Sequence, residues 1–498
     1  MRKYPFSDLA IAVFPFAADR RGKLDSAIEE MKRMDGRLTF LPVGVKTDPN
    51  AGVYRHCGFL MVDVACAGAS EVIADALAAD CIPLVRHDGA KLNDYPDAWQ
   101  WHDEKELCER YRTLRKTPTT YATAQSDVKR LSRLVSCGFG YGTIRTALNG
   151  AEQKIDTKPL KMAGVFDTFS ETCFGAECDL TLVNPDNWQE VITEARPDLL
   201  LVESAWYGNG GKWQYLVGTY PGSTRDKLRA MIAGFRNAGI PTAFWNKEDP
   251  PHFNQFVEAA ALFDYVFTTD ENCIPAYREK CGHDRVFALP FSASPILHNP
   301  FMDIPRDRDV CFAGTYYANR FEDRRKQMDV LLDCAKGFKF DIYDRMYGNT
   351  AKGYENYLFP ERFRPFIRGK LAYPDMVKAY HRYKVFLNTN SVFDSGTMFS
   401  RRVFELLACG TPVVTTPSVG IRKMFGGIVS EITDVEHGVH YVKRLLEDPD
   451  YYEKIRKAGI REVFEKHTYA HRLETIAEKL GIDWRRGPCP VDYEMACC

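Results

Sequence analysis

Short apolar runs alternate along the chain with stretches in which apolar positions recur every three or four residues. "LAIAVF" (9–14) precedes the amphipathic "KLDSAIEEMKRM" (23–34), and "LTFLPV" (38–43) and "GFLMVDV" (58–64) follow. The helical "SEVIADALAADC" (70–81) then runs into "IPLVRH" (82–87). Such alternation predicts parallel sheets covered by helices on both faces, because a strand buried on two sides reads as a continuous apolar run. The pattern restarts at "KMAGVF" (161–166) and continues through "DLLLVES", "TRDKLRAMIAGFRNAG", "PTAFWN" and "FDYVFTTD". After the Pro-rich "LPFSASPILHNPFMDIPRDR" (289–308) a third α/β series opens at "DVCFAG" (309–314). This connector is the clearest boundary in the chain.

The domain reading is an N-terminal α/β unit over 1–118, a helical connector over 119–158, and α/β units over 159–297 and 298–475. A tail over 476–498 follows. A weak internal repeat sets "SEVIADALAADCIPLV" (70–85) beside "SRRVFELLACGTPVV" (400–414), with Pro83 on Pro412. "RTLRKTPTTY" and "KRLLEDPDYY" correspond in the same way. In the first copy Ala76 falls where Glu405 stands, and Cys81 where Gly410 stands.

Composition narrows the class. A chain of 498 residues is too long for one core and fits about three domains. Lys and Arg number 66 against 67 Asp and Glu, a net charge of −1, so no global field favours nucleic acid or an anionic membrane. The 15 cysteines are scattered without a CxxC pair, which points to a reduced cytosolic setting rather than disulfides or a zinc site. "MRKYPFSDLAIAVFPFAADR" lacks a long h-region and is read as strand, not signal peptide. Eighteen apolar residues never run together, so no spanning helix is expected, though contact with a membrane surface stays open.

Open parallel sheets bind ligands beyond the carboxyl ends of their strands. In "DVCFAGTYYANRFEDRR" a strand reaches Gly314 and a polar loop with Thr315 and Tyr316, then a helix expected to carry Arg320, Arg324 and Arg325. That combination can seat a diphosphate. In "FLNTNSVFDSGTMFSRRVFELLACGTPVV" a strand ends at Asn388 and Asn390, and a helix is expected from Ser400 as N-cap. Arg401 and Arg402 oppose the dipole there, a conflict that an anion would relieve, while Glu405 can accept bonds from vicinal hydroxyls. A solvated ion pair explains the same residues without a ligand.

These segments carry a resemblance. "RRVFELLACGTPVVTT" with "HYVKRLLEDPDYYEKIRKAGIREVFEKHTYAHRLETI" resembles the C-terminal half of group 1 nucleotide-sugar glycosyltransferases, and more closely their CgeB-like (spore maturation) branch. "DVCFAGTYYANRFEDRR" and "FWNKEDPPHFNQFVEAAALFDYVFTTDENCIPAYREKCG" fit the same branch, so the likeness spans residues from about 160 to 475. It implies a GT-B fold with two facing Rossmann-like domains, and the internal repeat would make the first unit a degenerate half of the same kind. The acceptor would lie on the 160–295 side and the nucleotide-sugar on the 308–470 side, with the last helix crossing back. Glu405 matches the family's ribose-holding glutamate, and Gly314 and Thr315 its glycine loop. Gly410, Thr411 and Pro412 match the turn after the ribose helix. Many retaining relatives carry a second glutamate eight residues earlier, where this chain has Thr397 and, nearby, Asp394.

The expected donor site is therefore Gly314, Thr315, Tyr316, Arg320, Asn390, Ser400, Arg401, Arg402 and Glu405, with Arg402 serving the chemistry. Fixed cations stabilise the charge that develops on a nucleoside diphosphate leaving group. No metal or other cofactor is expected, and the donor is taken as a UDP-sugar by default. Asp167, Glu171 and Glu203 at strand ends are candidate bases, and Glu248, Asp249 and His252 in "NKEDPPHF" offer others. A substrate-assisted retaining route would need none of them. Trp206, Tyr207, Trp213, Glu248 and Asp249 are the expected acceptor contacts. The leading reading is a glycosyltransferase acting on a hydroxyl acceptor, a surface polysaccharide or glycoconjugate. Its rivals are a transferase for modified DNA bases, which near-neutral charge disfavours, and a non-catalytic nucleotide- or glycan-binding protein.

Overall fold

The structure is a computed structural model. It describes residues 10–13, 39–42, 57–63, 82–86, 100–101, 107 and 159–498, apart from 223, 303, 320, 488, 490–492 and 498. Met1–Asp156 and Thr157–Cys498 form two compact units. The helices expected at 23–34 and 70–81, the connector 119–158 and Arg320 lie outside the described residues. So does the first half of the proposed repeat, apart from its closing strand.

In the first unit, β1 (Ala10–Val13), β2 (Thr39–Pro42), β3 (Cys57–Asp63), β4 (Ile82–Arg86) and β5 (Gln100–Trp101) make one sheet. Its order is β2-β1-β3-β4-β5, and every pair is parallel.

The second unit holds two six-stranded parallel sheets. In the middle lobe, β6 (Lys161–Val165), β7 (Asp179–Leu182), β8 (Leu199–Glu203), β9 (Thr242–Asn246), β10 (Tyr265–Thr268) and β11 (Val286–Ala288) stand in the order β11-β10-β9-β8-β6-β7. "LLLVE" of β8 and "TAFWN" of β9 are buried at every position, as a sheet with two covered faces requires. The helix Asp226–Asn237 turns Leu228, Met231, Ile232 and Phe235 inward at helical spacing and leaves its charges outside. Each such side chain contributes about 1.5–3 kcal/mol when fully buried.

In the C-terminal lobe, β12 (Arg308–Gly314), β13 (Phe340–Asp344), β14 (Ile367–Gly369), β15 (Tyr383–Asn388), β16 (Val413–Thr415) and β17 (Ser430–Glu431) take the order β14-β13-β12-β15-β16-β17. This is the doubly wound Rossmann order, with its switch point between β12 and β15. In the middle lobe the order reverses between β6 and β8. The carboxyl ends of these strands are where such sheets bind ligands.

Among their contacts, two fix the lobes through hydrogen bonds and ring packing. The final long helix, Tyr469–Leu480, returns to the middle lobe, where Tyr469 meets Phe174 edge to face at 4.9 Å. Ala293 bridges Thr468, and the Arg472 guanidinium donates to the carbonyls of Pro290 and Phe291 at 2.8 Å each. On the other side of the cleft, Thr397 Oγ1 donates to Thr269 O (2.9 Å) and accepts from Glu271 N (2.8 Å). Gly396 lies beside it, where an added Cβ would come within 2.1 Å of Glu271 Oε1 and push that side chain aside.

Candidate active site

Between the two lobes lies a cavity of about 560 Å³. The middle lobe supplies Lys247 and Glu248 from the carboxyl end of β9, and the C-terminal lobe supplies Gly314 from the end of β12. Arg345 follows β13, and Ser400, Arg401, Arg402 and Glu405 line the same space around the start of the helix Arg402–Ala408.

Glu405 sits one turn into that helix and is 1 % exposed. Tyr380 donates to its Oε2 at 2.8 Å. Arg401 Nε stands 2.7 Å from Oε1 as an ion pair without the alignment of a hydrogen bond. Burial pushes the carboxyl up, but Arg401, the Tyr380 hydroxyl and Arg402 outweigh it, so Glu405 is held below the usual carboxylate range. The Arg401 guanidinium in turn lies over the Phe169 ring at 3.4 Å, a cation–π contact across the lobes. Tyr373, also in the cavity wall, pairs with buried His298 at 2.7 Å. Burial lowers that imidazole to about 4, so it is neutral at physiological pH.

The charges in this wall are not equally satisfied. Arg401 has Glu405. Lys247 has Glu203 at 2.9 Å and Asp167 at 3.3 Å, and those carboxylates raise its ammonium above the ordinary value although burial opposes them. Arg402 donates to the carbonyl of Ala313 at 2.5 Å and lies against the Tyr380 hydroxyl, with its Nε buried and unbonded. Neither Arg402 nor Arg345 has a carboxylate within ion-pairing distance among the described residues. Behind the wall, Arg324 is 7 % exposed, bonded weakly to Thr315 O at 3.4 Å, and also without a carboxylate. The C-terminal side of the cavity therefore carries uncompensated positive charge beside Gly314.

Several expected contacts sit elsewhere. Ser400 is not the helix cap: Arg401 occupies that position with helical backbone angles, and Ser400 N instead donates to Asn390 Oδ1 at 3.2 Å. Asn390 is a buried cross-brace whose amide donates to Thr415 Oγ1 and Thr416 O. Tyr316 is in the core, its hydroxyl on Asp329 at 2.9 Å, and Thr315 is nearly buried. The helix that carries Arg324 and Arg325 begins at Glu322.

On the acceptor side the correction is larger. Trp213 is fully buried, its indole N–H donating to Val183 O at 2.6 Å, so it cannot stack on a sugar. Trp206 packs edge to face on His252 and Phe256, while Tyr207 is exposed outside the cavity wall. Asp249 is fully buried, accepting from Thr268 (2.6 Å), Asn246 (2.7 Å) and Tyr277 (3.0 Å). Burial raises it to about 7 against those donors.

Asp167 and Glu203 do not reach the cavity either. Asp167 accepts from the backbone N–H groups of Trp206, Tyr207 and Gly208 at 2.9–3.1 Å. Those donors and Lys247 outweigh its burial and lower its carboxyl. Glu203 is fully buried, accepts from Asp167 N, and is raised by burial despite Lys247. Glu171 lies in the first turn of the helix Thr168–Gly175, outside the cavity wall. Lys247, Arg345, Tyr373 and Tyr380 were not singled out by sequence. Lys247 and Arg345 share one signal, position, since each directly follows a parallel strand, whereas Tyr373 and Tyr380 lie on the helix Tyr373–Arg382.

Among the described residues no three His, Cys, Asp or Glu side chains gather as a metal site, and no helix is long and apolar enough to cross a membrane.

No curated protein matches the chain. Solved structures with some likeness include Anabaena HepE in complex with UDP-glucose. It is 13 % identical, with a TM-score of 0.40 over 64 % of this chain and 91 % of that one. A UDP-forming trehalose-phosphate synthase from Burkholderia xenovorans is 12 % identical, with a TM-score of 0.38 over 85 % and 99 %. The pneumococcal O-GlcNAc transferase GtfA, in complex with UDP and GlcNAc, is 13 % identical, with a TM-score of 0.35 over 59 % of each chain. The family model described as "Glycosyl transferase-like" matches residues 324–478, which take in Arg345, Arg401, Arg402 and Glu405. The C-terminal lobe thus carries a glycosyl transferase-like domain.

Proposed function

We propose that the chain is a glycosyltransferase of the GT-B kind, in the CgeB-like branch, that moves a sugar from a nucleotide-sugar to a hydroxyl acceptor. The observation that carries this reading is the pair of uncompensated cations, Arg402 and Arg345, beside Gly314 at the switch point of a Rossmann-ordered sheet. A pyrophosphate satisfies both and gains stabilisation as its negative charge grows during bond cleavage. Glu405, held ionised on its Arg401 and Tyr380 supports, accepts from the ribose hydroxyls. Arg401 is then a positioning residue rather than a phosphate ligand.

The acceptor class in this reading is a surface glycan or glycoconjugate, the donor a UDP-sugar, and the charge stabilisation comes from arginines without a metal. The test is thermal shift of the purified chain against UDP-, GDP-, dTDP- and CMP-sugars, followed by nucleotide release from whichever donor stabilises it. Stabilisation by one sugar nucleotide with steady release of its diphosphate supports the reading. No shift with any donor, or a shift without turnover, refutes a transferase.

A further inference from the structure

The Gly-rich loop that joins β8 to the helix Asp226–Asn237 lies outside the cavity wall, and among its described residues Tyr207 and Tyr215 stand in solvent, 62 % and 58 % exposed. The loop is nevertheless a fixed structure. Its start hangs on Asp167, whose carboxylate accepts from the N–H groups of Trp206, Tyr207 and Gly208 at 2.9–3.1 Å. Asn209 donates to the carbonyls of Gly164 at 3.1 Å and Val183 at 2.7 Å, and accepts from Phe166 N at 2.9 Å. Trp213 is sunk in the core on Val183 O. Farther on, Thr219 N donates to Gln255 O at 2.8 Å, and the Gln255 amide donates back to Thr219 O.

Within this frame Tyr215 holds φ at 63°, the left-handed region that costs a bulky residue about 1–2 kcal/mol. Strain of this kind persists where the surroundings over-determine it, and it collects at ligand-binding segments. The Tyr215 ring meets Tyr220 edge to face at 5.0 Å. Burial raises the Tyr220 hydroxyl, and Tyr215, Asp167 and Tyr207 raise it further, so the three tyrosines share one patch with that carboxylate. The patch adjoins the cavity, since Asp167 Oδ2 is 3.3 Å from Lys247 Nζ and Lys247 stands in the cavity wall.

A cavity of about 560 Å³ is the size of one drug-sized ligand, and a nucleotide-sugar fills most of it. An acceptor of several sugar units therefore continues over the surface beside Lys247. A pyranose offers a face of C–H groups to an aromatic ring and a rim of hydroxyls to a phenol, and tyrosine meets both at small cost in side-chain entropy. Among the described residues of this loop the large exposed apolar side chains are tyrosines with no aliphatic one beside them, a surface suited to sugars rather than to lipid tails. We propose that Tyr207, Tyr215 and Tyr220 form a docking platform for a glycan acceptor, holding units beyond the one that receives the transferred sugar. This rests on the transferase reading above. The platform adds affinity for long acceptors and takes no part in the chemistry.

The test uses the full-length chain and immobilised hexasaccharides of β-glucan, chitin, α-mannan, galactan and rhamnan, each beside its monosaccharide. The parent is expected to hold at least one hexasaccharide and to bind the monosaccharides far more weakly. Tyr215→Gly and Tyr207→Ala should each weaken that binding about 3–10-fold, the value of one aromatic contact, with UDP affinity unchanged, and Tyr215→Phe should keep most of it. Glycine suits a positive φ, so Tyr215→Gly is expected to resist urea at least as well as the parent, and its loss of binding then has no source in unfolding. Losses below about threefold, or a parent that holds no hexasaccharide, overturn the platform. Phosphatidylglycerol vesicles bound by the parent and released by the same variants would make the patch a membrane contact and overturn it too. A chain that holds a hexasaccharide through these tyrosines yet binds no UDP overturns the donor reading and leaves the platform standing.

Discussion

Arg401 Nε stands 2.7 Å from Glu405 Oε1, and the same guanidinium covers the Phe169 ring of the opposite lobe at 3.4 Å. One arginine therefore sets both the charge of the proposed ribose contact and the fit between lobes. Removing Glu405 strands a mostly buried cation, which costs about 3 kcal/mol, the low end for a broken buried pair because Arg401 keeps some solvent contact. Glu405→Ala is expected to abolish donor binding and to lower the denaturation midpoint. Glu405→Ala with Arg401→Met should recover much of the stability without recovering binding. Calorimetric titration with UDP beside urea unfolding separates the two effects, and unaltered UDP affinity in Glu405→Ala would remove this residue from the site.

The cations opposite Gly314 should behave differently from Arg401. Arg402→Ala and Arg345→Ala each remove a charge with no carboxylate to strand, so stability should change little. Donor affinity is expected to fall about 10–100-fold per arginine, the value of a charge-assisted hydrogen bond, with Arg402→Ala losing more in turnover than in binding. Affinity measured at rising salt should flatten in each variant. Equal salt slopes in variant and parent would rule out phosphate contact.

Two buried carboxylates predict pH dependences of opposite sign. Glu405 is lowered in the folded chain, so its contribution is present above the ordinary glutamate value and disappears as pH falls through the folded one. Relative to Glu405→Gln, the parent should lose stability as pH drops below the ordinary glutamate range. Asp249 is raised to about 7, so its burial is cheapest below about pH 4, where it is neutral in both states. Stability is lost as pH rises from there towards about 7, and Asp249→Asn should abolish that slope. Urea midpoints across this range measure both.

Thr397 makes two hydrogen bonds across the cleft, one as donor and one as acceptor. Thr397→Val keeps the shape and removes both, at a cost of about 1–3 kcal/mol for the buried groups left unbonded. Amide exchange at residues 269–273 should quicken, while Thr397→Ser should leave it unchanged. Gly396→Ala should act on the same contact by displacing the Glu271 side chain. Unaltered exchange in the valine variant would mean the contact does not hold the lobes.

Strand placement was legible because parallel strands announce themselves as apolar runs, and "LLLVES" and "PTAFWN" became β8 and β9 as their patterns required. Glu405 was legible as well, since a carboxylate and two arginines at one helix start conflict locally without a partner. What the sequence could not reveal was pairing. Asp167 and Glu203 look like free carboxylates at strand ends until Lys247, some eighty residues from the first, folds onto both. Trp213 looks like a platform in a Gly-rich loop, yet that loop wraps around it and gives its indole the Val183 carbonyl. Arg345 escaped notice for the opposite reason: nothing in its neighbourhood of sequence sets it apart, and only the adjacency of β13 and β12 brings it beside Gly314.

The return of the helix Tyr469–Leu480 to the middle lobe has a practical meaning for anyone dissecting the chain. The middle lobe is not a contiguous stretch of polypeptide, for it is finished by a helix that follows the C-terminal lobe in sequence. A fragment stopping before Thr468 would expose the carbonyls of Pro290 and Phe291 together with a greasy seat for Tyr469. Separate expression of the halves should therefore include that helix in trans, or fuse it to the fragment it completes.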